Sequence, residues 1–373
     1  MDLSSKVTSE LSLDEQQASE SSTASLAESQ SILGGTNGDV RQSLLPPMGF
    51  GKHKPKMLLM GLKRSGKSSI SNVVFHKMAP HETLFLEATT AIQKQNVMKF
   101  MDFQIWDLPG QIDYLSSSLD SNSVFSDVGG IVWVIDAQDN YLEPISRFTS
   151  AVVALTELYP SIRYSVFIHK TDSITEDYRE DTIRDVMQKI SDELFDEGLE
   201  NPPVSYFPTS IYDHTIFEAF SKVIQGLVPQ LPTYETLLDT VAASCRFQKV
   251  YIFEVTSKVY IASDTKPSDL SSYELCSDFI NAIMDMYGLY SWDRPKTSSI
   301  SPMDDERHQD VGAQTVEAMV CSARGNTVYL RELNAFLVFI GVSKEPNFQK
   351  EKAMVDYNIQ MFQNTLLRVL DRG

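Results

Sequence analysis

The sequence between residues 57 and 69 has the residue types and spacing of a loop that binds phosphate. An apolar run ends at Gly61, and after four residues come Gly66, Lys67 and Ser68, which matches the pattern G-x-x-x-x-G-K-[ST]. Successive backbone N–H groups and the N-terminus of the following helix surround an anion in such a loop. We expect Lys67 to reach the β- and γ-phosphates of a nucleotide and the Ser68 hydroxyl to ligate Mg²⁺. The predicted nucleotide contacts of this loop are Gly61, Lys63, Arg64, Ser65, Gly66, Lys67, Ser68 and Ser69.

The stretch IWDLPGQ, residues 105–111, supplies groups that can sense the third phosphate of a nucleotide. Asp107 ends an apolar strand, where its carboxylate can hold Mg²⁺ through a water molecule. Gly110 can present its N–H group to a γ-phosphate, and Gln111 can orient the attacking water molecule. A turn of this kind is common by itself, but its position after the phosphate loop favours hydrolysis of a nucleoside triphosphate.

Two further strand ends carry residues that can recognise a base. FIHKTD places His169, Lys170 and Asp172 at the end of one strand. A carboxylate there can accept hydrogen bonds from guanine N1–H and the exocyclic amine, a pair of donors that adenine does not offer. After the next strand, PTSIYD supplies Ser210 and Ile211, where a backbone amide can meet guanine O6. Since loops after the strands of a doubly wound sheet meet at one edge, the motifs together predict a guanine-nucleotide site.

The elements that must position these residues alternate between strands and helices. Between about residue 55 and residue 232, near-continuous apolar strands are separated by helical patterns, which predicts a mostly parallel sheet with helices on both faces. The strand candidates are Met57–Met60, Phe100–Trp106, Gly130–Ala137, Tyr164–His169 and Val204–Phe207, and the clearest helix candidates are Pro144–Leu158 and Asp181–Leu194. The predicted fold over residues 51–232 is an α/β P-loop GTPase domain.

The order of elements changes after VPQLP, residues 228–232. The candidates that follow are helix Tyr234–Cys245, strands Val250–Glu254 and Lys258–Ser263, helix Ser272–Tyr287, strands Thr315–Ala323, Asn326–Leu333 and Ala335–Val342, and helix Lys350–Leu370. This order predicts a smaller α+β domain at 233–373, with one antiparallel sheet flanked by helices and a mobile polar insertion at about 291–312. The acidic, Ser- and Thr-rich segment 1–50 has almost no aromatic residues, so we expect it to be disordered.

The composition excludes several classes of function. A net charge of −18 over 373 residues argues against nucleic-acid binding and against a basic patch for membranes. No apolar run approaches the roughly 20 residues that span a bilayer, and neither end carries a lipidation motif. Cys245, Cys276 and Cys321 form no disulfide framework, which favours a reducing compartment. We therefore expect a cytoplasmic protein with no direct membrane anchor, held at any membrane through a partner.

In its motifs the chain resembles the Rag branch of the Ras-related GTPases, and within it the RagC/RagD type. The resemblance rests on LLMGLKRSGKSS, VVFHKM, ETLFLEAT, FQIWDLPGQ, VIDAQD, FIHKTD and TSIYDHTIFEAFSKV, with TSKVYIASD and YELCSDFI in the second domain. His169 stands where Ras relatives usually have Asn, as in Rag proteins. The resemblance covers residues 55–290 well and implies that the second domain is of the roadblock type.

The same resemblance implies a function. It implies a switch GTPase that binds GTP and GDP with Mg²⁺ and hydrolyses GTP slowly without an activating protein. It also implies an obligate heterodimer with a RagA/RagB-type GTPase, tethered to the lysosome or vacuole by a scaffold complex, where it couples amino-acid supply to TOR complex 1. Thr89 is the implied contact to Mg²⁺ and the γ-phosphate, with the adjacent Thr90 as an alternative. The predicted catalytic residues are Lys67, Thr89 and Gln111, and the predicted metal ligands are Ser68, Thr89 and, through water, Asp107.

Two side chains of the phosphate loop leave the extent of hydrolysis open. Lys63 and Arg64 stand where Ras proteins have small glycines. They either obstruct Gln111 and an arginine finger supplied in trans, or point to solvent and only raise the affinity for phosphate. Obstruction would favour a nucleotide-gated scaffold with negligible turnover. An ATP-using P-loop kinase is a further alternative. Such an enzyme would need a lid over the transferred phosphoryl group, and we find no Arg-rich lid segment in the sequence.

Overall fold

The fold is described from a computed structural model of the chain. The described residues are 56–98, 103–110, 124–199, 203–267, 270–290, 316–321, 325–334, 336–345 and 348–370. They all belong to one compact unit, and none of their helices has the length and hydropathy needed to cross a bilayer. The predicted disordered segment 1–50, the predicted insertion at about 291–312 and Gln111 lie outside the described residues.

The first sheet has the strand order β2-β3-β1-β4-β5-β6. Its strands are β1 (Lys56–Met60), β2 (Gln93–Met98), β3 (Phe103–Asp107), β4 (Val128–Asp136), β5 (Arg163–His169) and β6 (Val204–Thr209), and its helices are α1 (Lys67–His76), α2 (Leu142–Leu158), α3 (Glu176–Asp196) and α4 (Thr215–Leu227). Neighbouring strands pair in parallel except β2, which runs antiparallel to β3. β1 is buried along its length and β4 and β5 nearly so, which explains their continuous apolar sequences. The predicted mostly parallel α/β sheet is confirmed.

Strand β2 is absent from the sequence-based prediction. Its sequence, QKQNVM, is mostly polar, and Gln93 and Lys94 are exposed. Because β2 is an edge strand, its side chains do not need the apolar pattern that marks the buried strands. A 3-10 helix, Pro80–Phe85, precedes β2 and leaves Leu84 and Phe85 exposed. Both elements belong to the connection between α1 and β3, which the sequence pattern leaves unassigned.

The second sheet is antiparallel and has the order β8-β7-β11-β10-β9. Its strands are β7 (Lys249–Glu254), β8 (Tyr260–Ser263), β9 (Glu317–Cys321), β10 (Thr327–Glu332) and β11 (Leu337–Ser343), and its helices are α5 (Leu231–Ser244), α6 (Leu270–Tyr290) and α7 (Lys352–Leu370). Alternate residues of β7 face opposite sides of the sheet. Val250 and Ile252 belong to the cluster that includes α5 and α7, whereas Tyr251 and Phe253 pack with residues of α6. Helices therefore flank one antiparallel sheet, as predicted.

One hydrophobic cluster extends across both sheets. It contains Met57 of β1, Phe220 of α4 and Ile252 of β7. Within this region the Tyr260 N–H of β8 donates a hydrogen bond to Ser221 Oγ of α4 at 3.0 Å. The boundary that we predict between residues 232 and 233 therefore lies between two sheets that share a core. It remains a prediction, and either half alone would expose part of this cluster to water.

Candidate functional site

The loop between β1 and α1 depends on two glycines in conformations that other residues avoid. Gly61 has φ +137° and Gly66 has φ +104°. A Cβ atom at Gly61 would lie 2.4 Å from the Val134 carbonyl oxygen, and one at Gly66 would lie 2.6 Å from His169 Cδ2. Because glycine has no Cβ, the loop can pack directly on β4 and on the end of β5.

Lys67, the first residue of α1, is buried, and its ammonium group turns back over the loop. Nζ donates hydrogen bonds to the carbonyl oxygens of Gly61 at 3.0 Å and Leu62 at 2.8 Å. Burial lowers the pKa of Lys67 to about 8, and the nearby Asp107 carboxylate partly opposes that shift. A desolvated cation at the N-terminus of a helix is an arrangement that attracts phosphate.

Ser68, Thr89 and Asp107 form a cluster of oxygen atoms beside the loop. Ser68 Oγ donates to Asp107 Oδ2 at 2.5 Å and lies 2.7 Å from Thr89 Oγ1. Burial raises the pKa of Asp107, while its hydrogen bond from Ser68 and the Lys67 charge oppose the rise. The other carboxylate oxygen, Oδ1, is buried and has no hydrogen-bond partner among the described residues. Two hydroxyl groups and a carboxylate with an unsatisfied oxygen fit a hard cation such as Mg²⁺.

Of the two adjacent threonines, it is Thr89 that meets the phosphate loop. Thr89 is half-buried with its hydroxyl against Ser68, whereas Thr90 is exposed. Gly110 approaches the same loop from the end of the β3 segment, since a Cβ atom there would lie 2.5 Å from Lys63 N. The two segments expected to sense a γ-phosphate therefore both lie against the phosphate loop.

Lys170 connects the base-recognition motif to the phosphate loop. It adopts a left-handed conformation with φ +64° directly after β5. Its ammonium group donates to the Arg64 carbonyl at 3.0 Å and to Asp136 Oδ2 at 2.5 Å. Arg64 is itself left-handed, with φ +67°, so this hydrogen bond holds a strained residue of the loop.

Asp172 lies beside the loop that follows β6. Its Oδ1 accepts a hydrogen bond from Ser210 Oγ at 2.6 Å, its Oδ2 accepts one from Ser173 Oγ at 3.2 Å, and the residue is exposed. The Ser210 N–H donates to Thr215 Oγ1 at 3.0 Å, and the Tyr212 N–H donates to Ser210 Oγ at 3.0 Å. Among the described residues, no acceptor meets the Ile211 N–H. Of the Ser210, Ile211 and Tyr212 amides, that of Ile211 is therefore the one left to donate to a ligand.

His169 is buried between the phosphate loop and the end of β6. Its Nδ1 lies 3.0 Å from Thr209 Oγ1, and its ring lies under Gly66. Burial lowers the pKa of His169 to about 4, with the Lys170 charge acting in the same direction. The imidazole is therefore neutral at physiological pH, and it packs between the phosphate loop and the end of β6 rather than presenting a charge to a ligand.

These segments enclose one cavity of about 620 Å³. Its walls contain most of the predicted site residues, namely Lys63, Arg64, Gly66, Lys67, Ser68, Ser69, Thr89, Gly110, His169, Lys170, Asp172 and Ile211. Gly61, Asp107 and Ser210 support the walls through hydrogen bonds to Lys67, Ser68 and Asp172. Ser65 is buried and donates to the Leu62 carbonyl at 2.9 Å, so it stabilises the loop itself.

Sequence reasoning missed several residues of the cavity. They are Thr83, Leu84, Leu86, Glu87, Ala88, Gln138, Ser173 and Tyr212. Gln138 follows the end of β4, so the rule that ligands bind at the carboxyl ends of parallel strands could have found it. The residues from Thr83 to Ala88 follow no such rule, because they lie in the connection between α1 and β2. Their one signal is the motif ETLFLEAT, which carries the family resemblance.

The comparison with known families agrees with this geometry. Residues 56–280 of the 373 match the Gtr1/RagA G protein conserved region. The chain belongs to the Gtr1/RagA family of G proteins. This Rag-family chain is 43% identical to GTP-binding protein gtr2 of Schizosaccharomyces pombe, over 83% of its own length and 96% of the relative. It is also 42% identical to human Ras-related GTP-binding protein C, over 88% of its own length and 79% of the relative.

Two relatives from one yeast differ in how similar they are to this chain. GTP-binding protein GTR2 of Saccharomyces cerevisiae is 36% identical over 84% of this chain and 92% of the relative. GTP-binding protein GTR1 of the same yeast is 24% identical over 80% of this chain. The predicted Rag membership, of the RagC/RagD type, is therefore confirmed. The chain is a GTP hydrolase that binds GTP and GDP, which excludes the ATP-using kinase.

Proposed function

We propose that this Rag-family chain is a guanine-nucleotide switch that holds GTP with Mg²⁺ and hydrolyses it slowly. The observation that carries the proposal is the cluster of Ser68, Thr89 and Asp107, in which Asp107 Oδ1 is buried without a hydrogen-bond partner among the described residues. Mg²⁺, when bound, would neutralise charge on the β- and γ-phosphates. Ser68 and Thr89 would ligate it directly, and Asp107 through water.

The side chains around this cluster support the phosphate end of the site. Lys67 can leave the carbonyl oxygens that it now contacts and donate to the β- and γ-phosphates. Thr89 and Gly110 lie against the phosphate loop, so loss of the γ-phosphate would release the segments that carry them. We keep Gln111 as the residue that orients the attacking water molecule.

A nucleotide-gated scaffold with negligible turnover remains the second candidate. It is favoured by Lys63 and Arg64, whose exposed side chains line the cavity at the phosphate loop. In that position they can exclude an arginine finger or crowd the attacking water molecule. Single-turnover hydrolysis of GTP by the full chain, alone and with an activating protein, separates the two. Turnover that rises with the activator supports the switch, and turnover that stays negligible supports the scaffold.

We further propose that the chain works as a heterodimer with a RagA/RagB-type GTPase. In this proposal a scaffold complex recruits the pair to the lysosome or vacuole, where it couples amino-acid supply to TOR complex 1.

Open strand edges support a partner on the second sheet. The β8 edge meets α4 through Ser221 and Tyr260, whereas nothing in the described residues pairs with the outer edge of β9. Val320 of β9 is also 50% exposed. Purifying the chain from its own cells, then identifying the bound nucleotide and the associated chain, tests both proposals together.

The metal role has a direct test in Ser68→Asn. This change should weaken binding of GTP with Mg²⁺ more than binding of GDP, because the hydroxyl ligand matters most when the metal also bridges the γ-phosphate. Ser71→Asn is a matched control on α1, since Ser71 bonds Gln95 Oε1 of β2 rather than the oxygen cluster. Calorimetric titration with each nucleotide measures the effect. Equal loss for both nucleotides, or no loss, would contradict the assigned role of Ser68.

A further inference from the structure

Asp136, the last residue of β4, lies outside the motifs that recognise nucleotide, yet its carboxylate joins two segments of the site. Oδ2 accepts a hydrogen bond from Lys170 Nζ at 2.5 Å, and Oδ1 accepts one from the Gln138 N–H at 2.9 Å. The side chain of Asp136 is 16% exposed, so the pair is shielded from most of the solvent. Each of its oxygens therefore orients one element of the cavity wall, because Lys170 and Gln138 both line the cavity.

The contact to Lys170 continues into the phosphate loop. Lys170 Nζ also donates to the Arg64 carbonyl at 3.0 Å. A lysine side chain has many rotamers, and a carboxylate at its end restricts the ammonium group to one place. Arg64 has a left-handed backbone with φ +67°, which costs free energy unless its surroundings hold it. Asp136 thus acts on the loop through Lys170, across two hydrogen bonds.

We propose that Asp136 is a positioning residue for nucleotide retention, which holds Lys170 against Arg64 and thereby keeps the phosphate loop closed. The inference rests on the cavity being the guanine-nucleotide site proposed above. Asp136 should slow the release of GTP and GDP alike, because the loop contacts the phosphates that both share. It should not affect the choice of base, because Asp172 is the carboxylate beside the base-recognition loop.

The test is Asp136→Asn in the full chain, with whatever partner co-purifies. The asparagine Oδ1 can still accept from the Gln138 N–H, but its amino group now faces the Lys170 ammonium. We expect fluorescent mant-GDP and mant-GTP to dissociate about tenfold faster, since a charge-assisted hydrogen bond at a partly exposed pair is lost. The matched control is Asp185→Asn on α3, where a carboxylate accepts from Lys189 Nζ at the same 2.5 Å distance but does not line the cavity. Its release rates should stay within about twofold of wild type.

Two further measurements separate positioning from a general loss of structure. The preference for guanine over xanthine nucleotides should not change in Asp136→Asn. The double variant with Asp136→Asn and Lys170→Met should release nucleotide little faster than the faster of the two single variants. Both substitutions act through the same contact, so their effects should not add. Asp136→Glu keeps the negative charge and should release nucleotide at a rate between wild type and Asp136→Asn, which provides a second variant if the first fails to fold.

The outcomes are distinct. If wild type retains mant-GDP and Asp136→Asn releases it no faster, or if the effects of Asp136→Asn and Lys170→Met are additive, the inference is wrong while the nucleotide site stands. If wild type itself holds no guanine nucleotide, the proposed site is wrong and the inference with it.

Discussion

At the scale of single residues, the site separates groups that bind a charge from groups that hold loops in place. Asp172 is exposed, and although its oxygens accept from Ser210 and Ser173, each keeps a further lone pair for a ligand. His169 is buried and its Nδ1 is bonded to Thr209, so its ring mainly supports the loop above it. Both belong to FIHKTD, yet burial gives them opposite roles. Two predictions follow from that difference.

Replacing Asp172 by Asn should exchange guanine for xanthine. An amide donates where the carboxylate accepted, and xanthine O2 can accept that hydrogen bond where guanine has an amine. Each charge-assisted hydrogen bond contributes about 1.5–3 kcal/mol, so the loss for GTP should be on the order of 10²-fold or more. Competition of GTP and xanthosine triphosphate for the chain measures it. Unchanged GTP affinity would mean that Asp172 is only a solvated strand end.

His169 should make the stability of the fold depend on pH below neutral. Its pKa is 6.5 in the unfolded chain and about 4 in the folded chain. As the pH falls, the unfolded chain is therefore protonated before the folded chain, which favours unfolding. The free energy of unfolding therefore keeps its full value above pH 6.5 and decreases as the pH falls toward 4. At pH 5 the loss is about 2 kcal/mol. Urea unfolding at pH 7 and pH 5 should show this loss, and His169→Asn should remove it.

The control for this pH dependence is His76→Asn, at the exposed end of α1. That variant should keep the full difference in stability between pH 7 and pH 5. An equal pH dependence in wild type and His169→Asn would show that other groups carry it.

At the scale of elements, the close packing of the phosphate loop on β4 and β5 restricts its conformation. Gly66 ends the loop with φ +104° directly over the His169 ring. The following helix begins with no side-chain cap, which leaves its first N–H groups free to bind a ligand. The strand ends, the loop and the helix N-terminus therefore form one unit to which both backbone groups and side chains contribute.

Changing Gly66 to Ala should disrupt this unit. The left-handed backbone costs about 1–3 kcal/mol for a non-glycine residue, and the new Cβ would lie 2.6 Å from His169 Cδ2. We expect loss of GDP binding together with lower stability in urea. Gly198→Ala is the control, because Gly198 also has positive φ, at +87°, but a Cβ there meets nothing within 4 Å. It should lower stability only by the backbone cost and leave GDP binding intact, and equal effects of the two changes would contradict the packing argument.

At the scale of the whole molecule, the two sheets share a hydrophobic cluster but differ in their edges. Ser221 and Tyr260 join α4 to the β8 edge, while the described residues leave the β9 edge open. Open strand edges are sites where another chain adds. Because the shared cluster makes truncated halves poor test material, the partner interface is better examined by point changes in the full chain.

Placing a lysine on the β9 edge should weaken the partner interface. Val320→Lys puts a charge on a side chain that is 50% exposed on that strand. Co-purification with a RagA/RagB-like chain on a sizing column should fall, while GDP binding stays unchanged. Leu158→Lys is the control, since Leu158 is 70% exposed at the end of α2. An undiminished complex with Val320→Lys, or an equal loss with Leu158→Lys, would move the interface away from β9.

The sequence by itself determined the sheet class, the phosphate loop and the family. These features are local, because a buried parallel strand is a continuous apolar run and the groups that bind phosphate or a base follow each strand directly. Glycines at 61 and 66 and the pair Lys67 and Ser68 could be assigned from spacing alone. The edge strand β2 could not, because a half-exposed strand needs no apolar pattern.

Only the tertiary structure decided which groups meet across the chain. Lys170 bonds Arg64 over 106 positions and Asp136 over 34, and no local pattern encodes either contact. The choice of Thr89 over Thr90 depends on how an irregular connection packs against Ser68. The single cluster that runs through both sheets also has no signal in either half of the sequence, because it forms only when α4 packs against β8. The order of motifs along the chain predicts that these loops meet at one edge of the sheet, but which side chains touch there depends on the packing of the whole fold.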